Sequence, residues 1–233
     1  MDPEIKSLLQ AVTDGRLQEE LKSHKLTPQL GAAVRQVFDE ALAAQRGGDA
    51  MAAAYLAASI YQALGDQTNR VANLFDFLQV RFMMAGTPPQ YQAVREQAMS
   101  LVGLADDAKS PRFAFYASVL AADCAFFVTQ GTNDSAAWIV TTLRDLNAVS
   151  ERADGFQKDL NFVKFVDLLA NVANMAMPRV FLDKDQADVD SLLKALAQRV
   201  DTLIPPDFEY PNNPQQTAKI TAILTDLTDR YAG

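Results

Sequence analysis

The chain of 233 residues has very few of the side chains on which most enzyme sites depend. It contains one histidine, His24, and one cysteine, Cys124. A zinc or iron site built on two histidines is therefore excluded, and so is a disulfide within the chain. The ten glycines stand at turns and form no phosphate-binding loop. We therefore predict no catalytic residue, no metal site and no cofactor.

Basic residues are also scarce. Lys and Arg number 21 against 29 Asp and Glu, which gives a formal net charge of -8. Nucleic acids and anionic membranes both attract basic surfaces, so neither is expected as a partner. The opening residues MDPEIKSLLQ lack the continuous apolar core of a signal peptide. A single cysteine is typical of a reducing compartment, and we expect a cytoplasmic protein.

Apolar residues recur at helical spacing along most of the chain, and no stretch shows the alternation of apolar and polar residues that is typical of a β-strand. Helix starts are indicated by Asp2-Pro3 and Thr27-Pro28, in which a capping side chain precedes a proline. Further helices are predicted to begin at the cap Asn133-Asp134 and at Phe156. Turn residues recur at intervals of 17 to 23 residues between positions 28 and 178. Such spacing predicts an all-α fold of about eleven helices, arranged as stacked antiparallel hairpins.

We expect one domain over residues 1–233, because no stretch in the middle has the composition of a linker. Short helices occupy 1–27, and a proline-rich connector at 204–214 precedes the last helix. The most apolar stretch is SPRFAFYASVLAADCAFFVTQG at 110–131. It predicts a buried central helix that carries Cys124 and Phe127 in the core, with an apolar part too short and too broken to span a bilayer.

One part of the chain resembles the tetratricopeptide repeat, in which small residues and a tyrosine precede a Gly-Asp turn. The residues that carry the resemblance are Ala54, Ala57, Ala58, Tyr61, Gly65, Asp66 and Leu74. A second window at 120–140 keeps Phe127, Gly131, Ala136 and Val140. The resemblance covers two hairpins and implies a tetratricopeptide-like α-solenoid. Proteins of that family hold peptides or partner segments along a concave helical face.

Polar and aromatic side chains recur on one side of three predicted helices. The residues predicted to bind a partner are Arg70, Asn73, Phe77, Arg81, Tyr91, Arg95 and Tyr116. Arginine binds carboxylates, asparagine binds peptide backbone, and an aromatic ring packs against an apolar anchor. Two further polar stripes are Arg112, Tyr116, Asp123 and Gln130, and Lys164, Asp167, Asn171 and Asn174. An ordinary solvent-facing surface is the alternative interpretation of each stripe.

These observations predict a non-catalytic adaptor or regulatory scaffold that binds a protein or peptide segment in a helical groove. The partner segment is expected to be acidic and to carry an apolar anchor, because the predicted groove offers arginines and aromatic rings. Two alternatives stay open at this point. One is an enzyme of unfamiliar type that uses carboxylates with Mg²⁺, and the other is an obligate subunit of a larger complex.

Overall fold

The computed structural model of the protein describes residues 2–132 and 134–232. Over this part of the chain there are eleven α-helices and no strand. They are α1 (Pro3–Thr13), α2 (Leu17–Ser23), α3 (Pro28–Ala43), α4 (Gly47–Ala63), α5 (Gln67–Met84), α6 (Pro88–Asp107), α7 (Pro111–Gly131), α8 (Ser135–Ser150), α9 (Leu160–Ala176), α10 (Asp183–Leu203) and α11 (Pro214–Tyr231). The predicted all-α class is confirmed.

Local capping explains where several helices begin. The side chain of Asp2 accepts a hydrogen bond from the Glu4 backbone N–H at 2.8 Å, and Thr27 accepts one from Leu30 at 3.2 Å. Each bond satisfies one of the backbone donors that a helix start leaves without a partner. These are the helix starts that the sequence predicted. Of the predicted cap Asn133-Asp134 of α8, Asn133 lies outside the described residues, and Asp134 is the N-cap but its side chain accepts no capping hydrogen bond.

One predicted helix start is wrong. The sequence predicted that the ninth helix begins at Phe156, but α9 begins at Leu160. Asp159 is the N-cap, and its side chain accepts from the Asn161 backbone N–H at 3.4 Å. Phe156 instead lies in the preceding turn, where its ring stacks on Phe115 with centroids 5.0 Å apart. Residues 156–159 therefore precede α9 and do not form its first turn.

The chain divides into two compact units. The first unit runs from the N-terminus to Gly86 and includes Ser100–Ala114. The second unit comprises Thr87–Met99 and the chain from Phe115 to the C-terminus. The expectation that the two units form one domain stays a prediction.

In the first unit, α4 packs against α1, α3 and α5. Its buried side is formed largely by alanines, which let neighbouring helices approach closely. Gly31 near the start of α3 faces Tyr61 near the end of α4, so the two helices are antiparallel. A Cβ atom on Gly31 would lie 2.7 Å from Cζ of Tyr61, which explains the glycine at this position.

In the second unit, two helix hairpins are stacked side by side. Helix α8 contacts α9 and α10, and α11 contacts α9 and α10. The Arg144–Asp188 ion pair is 2.7 Å long, and Nδ2 of Asn147 donates to the Leu192 carbonyl at 3.2 Å. Residue numbers therefore rise in the same direction along α8 and α10 from one contact to the next, so these two helices run parallel. This arrangement is the one expected of successive hairpins in a stack.

The predicted central helix exists as α7, and much of its surface is buried. Cys124 is 0% exposed, as predicted. Phe127, predicted to be a core residue, is 37% exposed, so this prediction is wrong. Its ring stacks on Tyr91 of α6 with centroids 4.9 Å apart. A helix that is apolar nearly all round gives no indication of which apolar residue lies at its rim.

The expectation that the apolar part of α7 is too short and too broken to span a bilayer is wrong by length and composition. Its 21 residues are long and apolar enough to cross a membrane by length and composition alone, and it is the one such helix among the described residues. However, 72% of its most apolar window is buried inside the protein. The core helix of a globular fold has this property.

Candidate functional site

Four of the predicted partner-binding residues lie in the first unit and three in the second. In the first unit, Arg70, Phe77 and Arg81 point to one side of α5, and Tyr55 of α4 lies beside Phe77. We refer to these four residues as the α5 face.

An aromatic pair stands at the centre of the α5 face. The rings of Tyr55 and Phe77 have centroids 5.8 Å apart and are inclined by 50°. Tyr55 is 40% exposed, whereas Phe77 is half-buried and packs against the core of the first unit. Because the core anchors Phe77, the pair is a firmly held apolar surface that remains partly open to solvent. Aromatic rings of this kind contribute strongly to binding when a partner covers them.

Two half-buried arginines stand on either side of this aromatic pair along α5. Nη1 of Arg70 donates to Oε1 of Gln67 at 3.0 Å. Gln67 is neutral, so this contact orients the guanidinium without neutralising its charge. Arg81 lies one helical turn beyond Phe77. The α5 face therefore has an arginine on each side of an apolar centre along α5, in a chain whose net charge is -8.

Asn73 lies beneath the α5 face rather than on it. Its side chain is only 4% exposed, and Nδ2 donates to the Asn69 carbonyl at 2.7 Å. Its Oδ1 is buried and accepts no hydrogen bond. A buried amide oxygen without a donor costs free energy, so Asn73 is a polar position that packing alone does not explain.

In the second unit, the geometry of Tyr91 and Arg95 differs from that of an open binding surface. Tyr91 is half-buried and stacks on Phe127. The guanidinium of Arg95 donates two hydrogen bonds to the carboxylate of Asp145, at 2.7 and 2.8 Å. Asp145 is 7% exposed, and the hydrogen bonds to its carboxylate, with its negative charge, raise the pKa of Arg95. The Arg95 charge is thus held by a partner within the same unit.

Tyr116 is also engaged within the second unit. Its hydroxyl donates to the carboxylate of Asp159, the N-cap of α9. No sequence pattern indicates this bond, since the two residues are 43 positions apart. The guanidinium of Arg95 and the hydroxyl of Tyr116 are therefore bonded within the second unit, where they connect one helix to another.

The two remaining polar stripes also meet each other. Asp123 of α7 pairs with Lys164 of α9, and Oδ1 of Asp167 accepts from Nε2 of Gln216 of α11 at 2.7 Å. Asp123 is 4% exposed, and burial raises its pKa while the nearby Lys164 opposes the shift. These carboxylates join alternate helices of the second unit.

Cys124 lies between buried charges but is not suited to nucleophilic chemistry. Burial, with a smaller contribution from the neighbouring Asp123, raises its pKa to about 12 against the lowering effect of Lys164 and Arg95. The thiolate is the reactive form, so a thiol with this pKa is inert near neutral pH. Over the described residues, no group of three or more His, Cys, Asp or Glu is arranged to hold a metal ion.

A separate groove in the first unit has a volume of about 520 Å³ and is lined by α1, α3 and α4. Its lining includes two cations, Lys6 and Arg46, and Arg46 is paired with Asp49 at 2.7 Å. Sequence reasoning missed this groove because its walls come from three helices, none of which carries a recognisable motif. It also overlooked Tyr55, whose only signal was a large aromatic residue within an alanine-rich helix.

No protein-family model, no curated protein and no solved structure matches this chain. Any role of the α5 face is therefore inferred from its own residues and not from a relative.

Proposed function

We propose that the protein is a non-catalytic adaptor or regulatory scaffold of the tetratricopeptide-like type, and that the α5 face binds a segment of a partner protein. The observation that carries the proposal is the partly exposed Tyr55–Phe77 pair with Arg70 and Arg81 on either side of it. Aromatic residues and arginine are the residue types most enriched among binding hot spots.

The charge of the α5 face favours an acidic partner segment. A guanidinium forms paired hydrogen bonds with a carboxylate, and such charge-assisted bonds are stronger than neutral ones. The aromatic pair supplies the site for one apolar anchor residue of the partner. Tyr91, Arg95 and Tyr116 belong to the wider predicted set, but Arg95 and Tyr116 already use their polar groups within the second unit.

A pair of arginine substitutions tests this function. We would capture partners from the native cell with the wild-type chain, and then titrate the recovered partner against the variant R70Q/R81Q. Two hot-spot arginines are each worth about 2 kcal/mol, or about 30-fold in Kd, so the variant should bind at least 30-fold more weakly.

The chain offers a matched control, R16Q/R46Q, which makes the same change in net charge. Arg16 and Arg46 are paired locally with Asp14 and Asp49 at 2.8 and 2.7 Å. The control should bind the partner with wild-type affinity, and both variants should keep the helical circular-dichroism signal. Equal affinity of R70Q/R81Q and the wild-type chain would contradict the proposed function.

A further inference from the structure

The groove lined by α1, α3 and α4 has the size of a ligand site, and its chemistry is independent of the α5 face. Helices α1 and α3 both pack against α4. On the side of α4 that lines the groove, Asp49 and Ala52 lie about one helical turn apart. Because Ala52 ends in a methyl group, it leaves the space between the helices unfilled. The groove of about 520 Å³ falls within the range of about 300–1,000 Å³ that is usual for small-molecule sites.

Part of the groove wall is apolar. It includes Leu9 of α1, Val37 of α3 and Ala52 of α4. Val37 is only 9% exposed, and Leu9 is half-buried against the core of the first unit. The core therefore holds these side chains in place. Transfer of an apolar group from water onto this wall is favourable, as for any apolar surface that is removed from water.

The charged residues that line the groove leave one positive charge uncompensated. Arg46 pairs with Asp49 at 2.7 Å, so these two opposite charges offset each other. The exposed Lys6 lines the same groove, and its ammonium makes no ion pair or hydrogen bond with the residues that the structure describes. An anion is thus the charged group that complements this groove.

We infer that the groove binds a small organic anion. The apolar body of the ligand packs on Leu9, Val37 and Ala52, and its anionic group pairs with Lys6. Lys6 also lines a second pocket of about 420 Å³ between α1 and α2. The apolar residues of that pocket are Pro3 and Ala11, which offer less apolar surface than the wall of the first groove.

The fluorescent anion anilinonaphthalenesulfonate tests this inference on the full chain, because it combines an aromatic body with one sulfonate. Phenylnaphthylamine has the same body without the sulfonate and serves as the neutral probe. The wild-type chain should bind the anion saturably. K6Q should weaken binding of the anion at least about threefold, as expected for a partly exposed ion pair, and leave binding of the neutral probe unchanged. K22Q, which removes an exposed lysine outside the groove, should bind both probes as the wild-type chain does.

A second variant tests where the probes lie. In A52L, a leucine fills the groove, so both probes should bind at least about tenfold more weakly because they lose the apolar wall. A137L places a leucine at an exposed position of α8 and should bind both probes with wild-type affinity. Leucine has a high helix propensity, and the circular-dichroism signal and Tm of both variants should match those of the wild-type chain.

Three outcomes would overturn the inference. The first is that the wild-type chain does not bind the anion saturably. The second is that K6Q binds the anion with wild-type affinity, a result that does not depend on how the chain tolerates A52L. The third is weaker binding by K6Q together with wild-type affinity of A52L, which would place the anion in the second pocket.

Discussion

Two phenylalanines on α7 should contribute very differently to stability, and their comparison tests how this helix is oriented. Phe115 is 0% exposed and stacks on Phe156 with the ring planes inclined by only 5°. Phe127 is 37% exposed and stacks on Tyr91 at the rim of the second unit. Both residues belong to the second unit, so one unfolding transition of that unit reports on both substitutions.

The substitution Phe115→Ala removes a fully buried ring and leaves a cavity. Its expected cost is about 3–5 kcal/mol, which includes the loss of the ring stacking. For Phe127→Ala we expect about 1–2 kcal/mol, because the ring is only partly removed from water and the site can be resolvated. In a domain of this size, each kcal/mol corresponds to about 2–4 °C in Tm.

Urea unfolding followed by circular dichroism measures both costs, with Tm as a second readout. Phe115→Ala should be less stable than Phe127→Ala by at least about 1 kcal/mol, the gap between the two expected ranges. Equal costs, or a larger cost for Phe127→Ala, would refute the orientation of α7 and the correction to the predicted core.

Four further predictions concern the buried polar groups of the second unit. Cys124 should react with a thiol reagent only after unfolding, since burial raises its pKa to about 12. Lys164→Met should cost about 3 kcal/mol or more, because it leaves the buried Asp123 carboxylate without its cation. Asp123→Asn should gain stability relative to the wild-type chain as the pH rises from 4 to 7. Asp145→Asn should cost about 2 kcal/mol or more by weakening its paired bonds to Arg95.

The sign of the Asp123 prediction follows from proton linkage. Burial raises the pKa of Asp123 in the folded state above its ordinary value of 3.8, so the folded state binds the proton more tightly than the unfolded state. The contribution of this group favours folding below pH 3.8 and is lost as the pH rises through the raised pKa. Urea titrations at pH 4, 5, 6 and 7 measure the difference. If the stability of Asp123→Asn relative to the wild-type chain falls as the pH rises, the prediction is contradicted.

Local signals predicted much of the fold, because they act within a few residues. The caps at Asp2 and Thr27 hold their helix starts through bonds to residues two or three positions away. The sequence could not show that Arg95 binds Asp145, since a partner 50 positions distant leaves no periodic signal. The exposure of Phe127 was equally hidden, because α7 is apolar nearly all round and its apolar residues alone do not show which side faces solvent.

Part of the candidate site was predictable for the same reason. The residues of α5 share one side through helical spacing alone, which the sequence contains. The contribution of Tyr55 from α4 depends on how two helices pack, and so does the burial of Asn73. Spacing within one helix therefore predicted that Arg70, Phe77 and Arg81 share one side of α5, whereas the burial of Asn73 and the neighbouring ring of Tyr55 depend on the tertiary structure.

Site-specific photocrosslinking tests the central claim most directly. Benzoylphenylalanine would replace Tyr55 on the α5 face, and in a control chain it would replace Leu160, which is 76% exposed in the second unit. After irradiation with the captured partner, we predict a crosslink from position 55 to an acidic segment of the partner and none from position 160. A crosslink from position 160 together with none from position 55 would contradict the account.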